Sequence, residues 1–218
     1  MNADCFTCYN QFTYCNNSPV TLSDDNGTKP TDNHTLMPAS YLVEHVKTMY
    51  EDEWLYNDTG DKREGFVDCI GVILYCVKLY FGGWITNKGK NRYKIKIDNR
   101  MVTIGQGTGS AITYNIKGHE TQLRRNIIPT STTDIENTLL PGMILYSSDL
   151  GHVGVYVGYY YDEESGKTYQ HAVIHSPYKG QKVKIEEVTD SPFKYYAKYN
   201  YIDYNLSYKD TLPQELIN

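Results

Sequence analysis

The chain changes its hydrophobic period once along its length, and that change limits the folds open to it more than any other feature. From Gly142 to Tyr201 five short runs alternate with period two: Gly142–Tyr146, His152–Tyr159, Tyr169–His175, Val183–Val188 and Tyr195–Tyr201. Turn-forming stretches such as Asp162-Glu163-Glu164-Ser165-Gly166-Lys167 separate them. Ahead of them the period is helical. Ala39 to Tyr50 puts Leu42, Val46 and Met49 on one face, with Ser40 as the expected N-cap. Val67 to Tyr80 is apolar around most of its circumference and closes at Gly82-Gly83, which predicts a helix at the centre of the domain. Helices first and strands afterwards predict an α+β fold, with N-terminal helices packed on a C-terminal antiparallel sheet of about five to six strands.

The segments outside this pattern are less regular. Residues 1–37 are rich in Asn, Asp, Thr and Ser without a sustained period, and are expected to form an extension, partly disordered or serving as a docking arm. The folded domain is expected to span 38–206, with 84–140 as an insertion and 207–218 as a tail. Within the insertion a short strand is predicted at Tyr93–Ile97 and an amphipathic piece near Gly118–Arg125.

Composition excludes several classes. The mean hydropathy of −0.55 is polar, yet 22 of the 218 residues are Tyr, which bury a ring while keeping the hydroxyl hydrated. No run reaches the roughly 18 apolar residues of a membrane span, so none is expected. A net charge of −5 argues against a nucleic-acid partner, which requires a basic surface. Five cysteines form an odd set, with three in the first fifteen residues, so a complete disulfide framework is not expected. The start of the chain has neither a basic n-region nor an apolar h-region, so no secretory signal is expected.

Candidate chemistry centres on Cys69. It lies where a loop enters the buried helix, beside unpaired N–H groups and the positive end of the helix dipole, and both favour the thiolate. A nucleophilic thiol needs a base and an orienting partner. His152 opens an alternating strand, and His175 ends another just before Ser176-Pro177. His171 competes with His175 for the third role, since an even spacing puts both on one strand face. His34, His45 and His119 have no motif around them, and Cys76 reads as a core residue. Cys5, Cys8, Cys15 and His34 form a weak zinc-binding candidate, set against free thiols in a flexible tail.

Phe66-Val67-Asp68-Cys69-Ile70-Gly71, Leu140 to Tyr146, Gly151-His152-Val153-Gly154-Val155-Tyr156-Val157-Gly158 and Val173-Ile174-His175-Ser176-Pro177 follow one another in this order. Together they resemble the motifs of the NlpC/P-sixty cell-wall cysteine peptidases, across about Ala39 to Tyr201. The resemblance implies a papain-like NlpC-type fold in which Cys69 attacks an amide carbonyl, His152 takes and returns the proton, and His175 orients His152. It also implies that the Cys69 N–H, Tyr56 and Asp68 serve the oxyanion or the substrate, and that no cofactor is required.

The implied substrate is the peptidoglycan stem peptide, cut typically after D-glutamate. The implied setting is a phage lysin or tail-associated hydrolase, carried by the virion to the cell wall or present in host cytoplasm before lysis, with virion or tail proteins meeting the N-terminal arm. Two positions depart from the family. Ile70 stands where Ser is usual, which leaves Asp68 alone to meet a substrate amine, and Met143 stands where Asp is usual. A related amidase and a virion or wall-complex protein with weak or lost activity remain the alternatives.

Overall fold

A computed structural model describes residues 36–57, 65–82, 85–86, 92–97 and 100–205. The fold is mixed α+β, with five helices and a five-stranded antiparallel sheet among the described residues. No described helix is long and apolar enough to cross a membrane. Cys5, Cys8, Cys15 and His34 lie outside the described residues, as do most of 1–37 and the whole 207–218 tail.

The chain enters through β1 (Met37–Pro38), which pairs in parallel with β12 (Ile202–Asp203). Met37 is fully buried, so the packed domain already includes it. Helix α1 (Ala39–Glu51) follows at once and buries Ala39, Leu42, Val43, Val46 and Met49. Ser40 is not its cap. Pro38, at φ −59° and ψ 139°, is held extended by β1–β12 pairing, and the helix starts one residue later with no side-chain cap.

Strands β2 (Leu55–Tyr56) and β3 (Phe66–Val67) pair in parallel, and α2 (Gly71–Tyr80) comes next. The expected helical start at Val67 is displaced because Val67 belongs to β3. Asp68 caps the turn instead: its Oδ1 accepts from Gly71 N at 2.6 Å, and its carbonyl accepts from Val72 N at 3.1 Å. Val72, Ile73, Leu74, Cys76 and Val77 are buried, as the wide apolar face requires.

The main sheet comprises β7 (Ile144–Ser147), β8 (Val153–Asp162), β9 (Lys167–His175), β10 (Lys184–Glu187) and β11 (Phe193–Ala197), in the order β10-β9-β8-β7-β11. The last run stops at Ala197 rather than Tyr201, because Tyr199 turns away to bridge Ile116. Both sheet faces are covered. Val153, Val155, Val157 and Ile174 join α1 and α2 in one core, while Leu145, Tyr156, Val173 and Phe193 join Ile128, Ile135 and Leu139 in another. Double coverage explains why β8 is buried at six successive positions instead of alternating.

The segment expected as an insertion contributes to both cores. It forms β4 (Ile85–Thr86), β5 (Arg92–Ile97), β6 (Arg100–Gly105), α3 (Thr108–Asn115), α4 (His119–Leu123) and α5 (Thr132–Thr138). Ile95, Ile104, Ile112 and Leu123 pack into the first core, and Ile135 and Leu139 into the second. Strand β5 and helix α4 lie where the sequence predicts them. Met143 is buried in the second core, and its sulfur lies 3.5 Å from Leu140 N. Gly142, at φ +88°, lets the chain before β7 approach α1: a Cβ there would lie 2.7 Å from Ala39 Cβ.

Because Met37 is fully buried whereas Leu36 is 38% exposed, Met37→Ala is expected to cost about 2–5 kcal/mol. Leu36→Ala should be nearly neutral. Urea unfolding of the two variants checks this, and equal midpoints would remove Met37 from the core.

Candidate active site

Cys69 occupies the turn between Asp68 and the first residue of α2 and is half-buried. Thr108 Oγ1, at the start of α3, lies 3.8 Å from its Sγ, and backbone groups of Val153 and Ile70 also hydrogen-bond the sulfur. Val153 directly follows His152, so the thiol lies against the first residue of β8. Cys69 and His152 share no hydrogen bond.

Burial pushes the Cys69 thiol above its ordinary value, and Asp68 adds to the effect. Hydrogen bonds from Thr108, Val153 and Ile70 oppose the shift without reversing it. The expectation of a resting thiolate is therefore corrected: desolvation outweighs the dipole and the local N–H groups. Cys76, by contrast, is fully buried with its Sγ on Val72 O at 3.2 Å, as a core residue should be.

The turn before β8 holds His152 by its backbone. Its N–H donates to Ser147 Oγ at 3.0 Å, and its carbonyl accepts from Ser147 N at 3.0 Å. Asp149 closes the turn by accepting from Ser147 Oγ at 2.5 Å and Gly151 N at 3.1 Å. The His152 ring meets His175 across the sheet, Nε2 to Nδ1 at 2.6 Å. Phe193 stacks on His152 with ring centres 5.5 Å apart and packs edge-on against His175 at 5.3 Å. Gly154 makes room for that ring, since a Cβ there would lie 2.8 Å from Phe193 Cζ and 2.7 Å from Val173 Cγ2.

His175 is almost fully buried, and its Nε2 lies 2.9 Å from Glu186 Oε2. Lys184 Nζ meets the other carboxylate oxygen at 2.6 Å. Burial, with the neighbouring His152 charge, pushes His175 down to about 4, so it is neutral at neutral pH. Its contact with Glu186 is then a hydrogen bond to a carboxylate rather than an ion pair. Burial raises Glu186, but Lys184 and His175 together hold it below the ordinary carboxylate value. Burial also lowers His152, partly offset by Asp149 and Glu186.

The remaining expected residues divide. Asp68 caps α2 through Oδ1. Tyr56 is half-buried beside Val67 in the β2–β3 pair, with its N–H on Gln181 O at 2.8 Å. His171 lies apart from the His152–His175 pair: it is buried, its Nδ1 shares a hydrogen bond with the Tyr156 hydroxyl at 3.1 Å, and its Nε2 has no partner among the described residues. His45 bonds Tyr41 O at 2.9 Å, and His119 is exposed. Among the described residues no group of His, Cys, Asp and Glu could hold a metal ion.

Sequence reading missed Thr108, Glu186 and Phe193. The alternation of Lys184-Ile185-Glu186 carried a signal for Glu186, since it puts Lys184 and Glu186 on one face. Ser176, which has no role of its own in the motif, is buried, and its hydroxyl donates to Val67 O at 2.9 Å and ties the end of β9 to the loop carrying Cys69. In comparisons with known proteins, no family model matches this chain and no curated protein matches it.

Two outcomes follow. Gly154→Ala should displace Phe193 from the histidine rings, costing about 1–3 kcal/mol and loosening the rings. Urea unfolding and the His152 and His175 ring proton shifts check it, and unmoved ring shifts would contradict it.

His175 has a folded pKa near 4 against an ordinary value of 6.5, so between these values the unfolded chain binds more protons. Its contribution to stability is complete above pH 6.5 and is lost as pH falls towards 4. His175→Asn should flatten, without abolishing, the decline in urea midpoint over that window, because His152 is shifted in the same direction. An unchanged slope would contradict the shift.

Proposed function

We propose that this protein is a cysteine peptidase with a papain-like NlpC-type fold, acting on the peptidoglycan stem peptide typically after D-glutamate. The observation that carries the reading is a thiol at the start of a buried helix that hydrogen-bonds the backbone of Val153, the residue directly after His152, together with a His152–His175 pair joined at 2.6 Å. This combines a nucleophile, a base and an orienting group in the roles acyl transfer needs.

The chemistry follows from the atoms. His152 Nε2 is engaged by His175, so Nδ1 is the nitrogen left to act as base. It takes the Cys69 S–H proton as the sulfur attacks the amide carbonyl carbon, and the Cys69 N–H, at a helix start without an intrahelical acceptor, supports the oxyanion. The C–N bond then breaks while the imidazolium returns its proton to the leaving amine, giving a thioester. Water, deprotonated by the same nitrogen, hydrolyses that thioester and frees the thiol. With thiol and imidazole both neutral at rest, charge separation has to arise as the substrate arrives.

Asp68 is taken up by its cap and Ile70 is buried, so recognition of a free substrate amine is not part of the proposal. Delivery by a phage particle, as a lysin or tail-associated hydrolase, fits the same reading. A second reading is a virion or wall-complex protein with weak or lost activity, and the raised Cys69 pKa favours it.

Purified sacculi of several wall chemotypes, digested with wild type and Cys69→Ala and resolved by mass spectrometry, separate the two. The expected result is stem-peptide fragments from wild type and a loss of at least about 10³-fold in Cys69→Ala. Equal release by both proteins would overturn the peptidase, and no release from any wall would favour the second reading.

A further inference from the structure

We infer that Glu186 is a positioning residue that sets which nitrogen of each histidine carries the proton, and so leaves His152 Nδ1 as a bare base. The inference rests on the Cys69–His152–His175 reading, and it turns on donors and acceptors in one chain of contacts.

Strand pairing builds the chain. In the β9–β10 register Lys184 lies opposite His175 and Glu186 opposite Val173, so Lys184 and Glu186 share the His175 face, and Glu186 reaches His175 diagonally. Lys184 Nζ on Oε1 at 2.6 Å leaves Oε2 for His175 Nε2 at 2.9 Å. An ionised carboxylate can only accept, so His175 Nε2 must be the protonated nitrogen.

A neutral imidazole has one N–H, so His175 Nδ1 is then an acceptor. Its contact with His152 Nε2 at 2.6 Å therefore requires the proton on His152 Nε2, and His152 Nδ1 is left with its lone pair. Without the carboxylate either tautomer of His175 would serve, and the reverse arrangement would protonate the nitrogen that must act as base.

The surroundings fit this role. His175 is 2% exposed at its side chain and Glu186 25%, so water competes weakly at the buried end. The charged groups acting on the His152 ring are Asp149, Glu186 and Lys184, and of these only Glu186 bonds its partner directly. Phe193 closes the apolar side of both rings.

The test uses the full chain labelled with 15N-histidine, at pH 7.5 and without substrate. Imidazole 15N–1H correlation spectra should give His152 and His175 both protonated at Nε2 and bare at Nδ1. Glu186→Gln, whose amide can donate to His175 Nε2, should shift His175 to the Nδ1–H form or to a mixture. It should also lower kcat on sacculi about 10²-fold with KM little changed, and Glu186→Asp should restore the wild-type tautomers in part.

Wild type with either ring protonated at Nδ1 overturns the inference even if Glu186→Gln fails to fold. So does a folded Glu186→Gln with unchanged tautomers. If the spectra behave as expected but no wall is cleaved by wild type, the arrangement stands and the peptidoglycan assignment falls.

Discussion

The pairing of β8 with β9 is the constraint from which the candidate site derives. An antiparallel hairpin brings the start of its first strand beside the end of its second. His152, just before β8, and His175, the last residue of β9, thus meet although 23 residues separate them. The ladder has register shifts around Gly158 and recovers before Tyr160. Its two faces are buried under different layers, so a slip of one residue would send the valines packed on α1 and α2 towards the face packed on Ile135 and Leu139. The burial that stabilises the sheet therefore also fixes the meeting of the histidines.

Burial has a second consequence at the site. It pushes Cys69 up and both histidines down, so each group is held in its neutral form by the same loss of water. A helix N-terminus by itself would favour charge on the sulfur, but the dipole effect falls off within a turn and the Asp68 carboxylate caps that end. The local field therefore carries a negative charge where an unoccupied helix start would offer only positive potential. The thiol and the two imidazoles therefore carry little charge of their own.

The catalytic candidates were legible in the sequence because each lies at a boundary between local patterns. Cys69 marks the change from loop to apolar helix, while His152 and His175 mark the ends of alternating runs, and such boundaries are local properties. The residues that were not legible depend on pairing between distant segments. Glu186 reaches His175 only through the β9–β10 register, which is set across the turn from Ser176 to Val183. Phe193 meets both rings because Gly154, on another strand, carries no Cβ. Thr108 comes from a mixed, Gly-rich stretch whose β6 and α3 acquire their burial from the main core rather than from a strong period of their own. Ser40 failed as a cap for a related reason, since tertiary pairing of β1 with β12 decided where α1 begins.

The bond from Ser176 Oγ to Val67 O shows how the loop carrying Cys69 and the strand carrying His175 are held in register. Val67 is buried at the end of β3, two residues before Cys69, and its carbonyl also accepts from Asn57 N at 3.1 Å. One carbonyl thus links the β2 segment carrying Tyr56, the loop carrying Cys69 and the end of the strand carrying His175. A buried hydroxyl bond of this type is costly to leave unmade, so the cost of separating these three segments includes desolvated polar groups as well as apolar contact. Thr108 approaches the same loop from the opposite side in sequence, through the stretch joining β6 to α3. The place of the Cys69 loop is therefore set by bonds to distant segments of the chain, and the sulfur itself by Thr108 and the Val153 backbone, rather than by the helix alone.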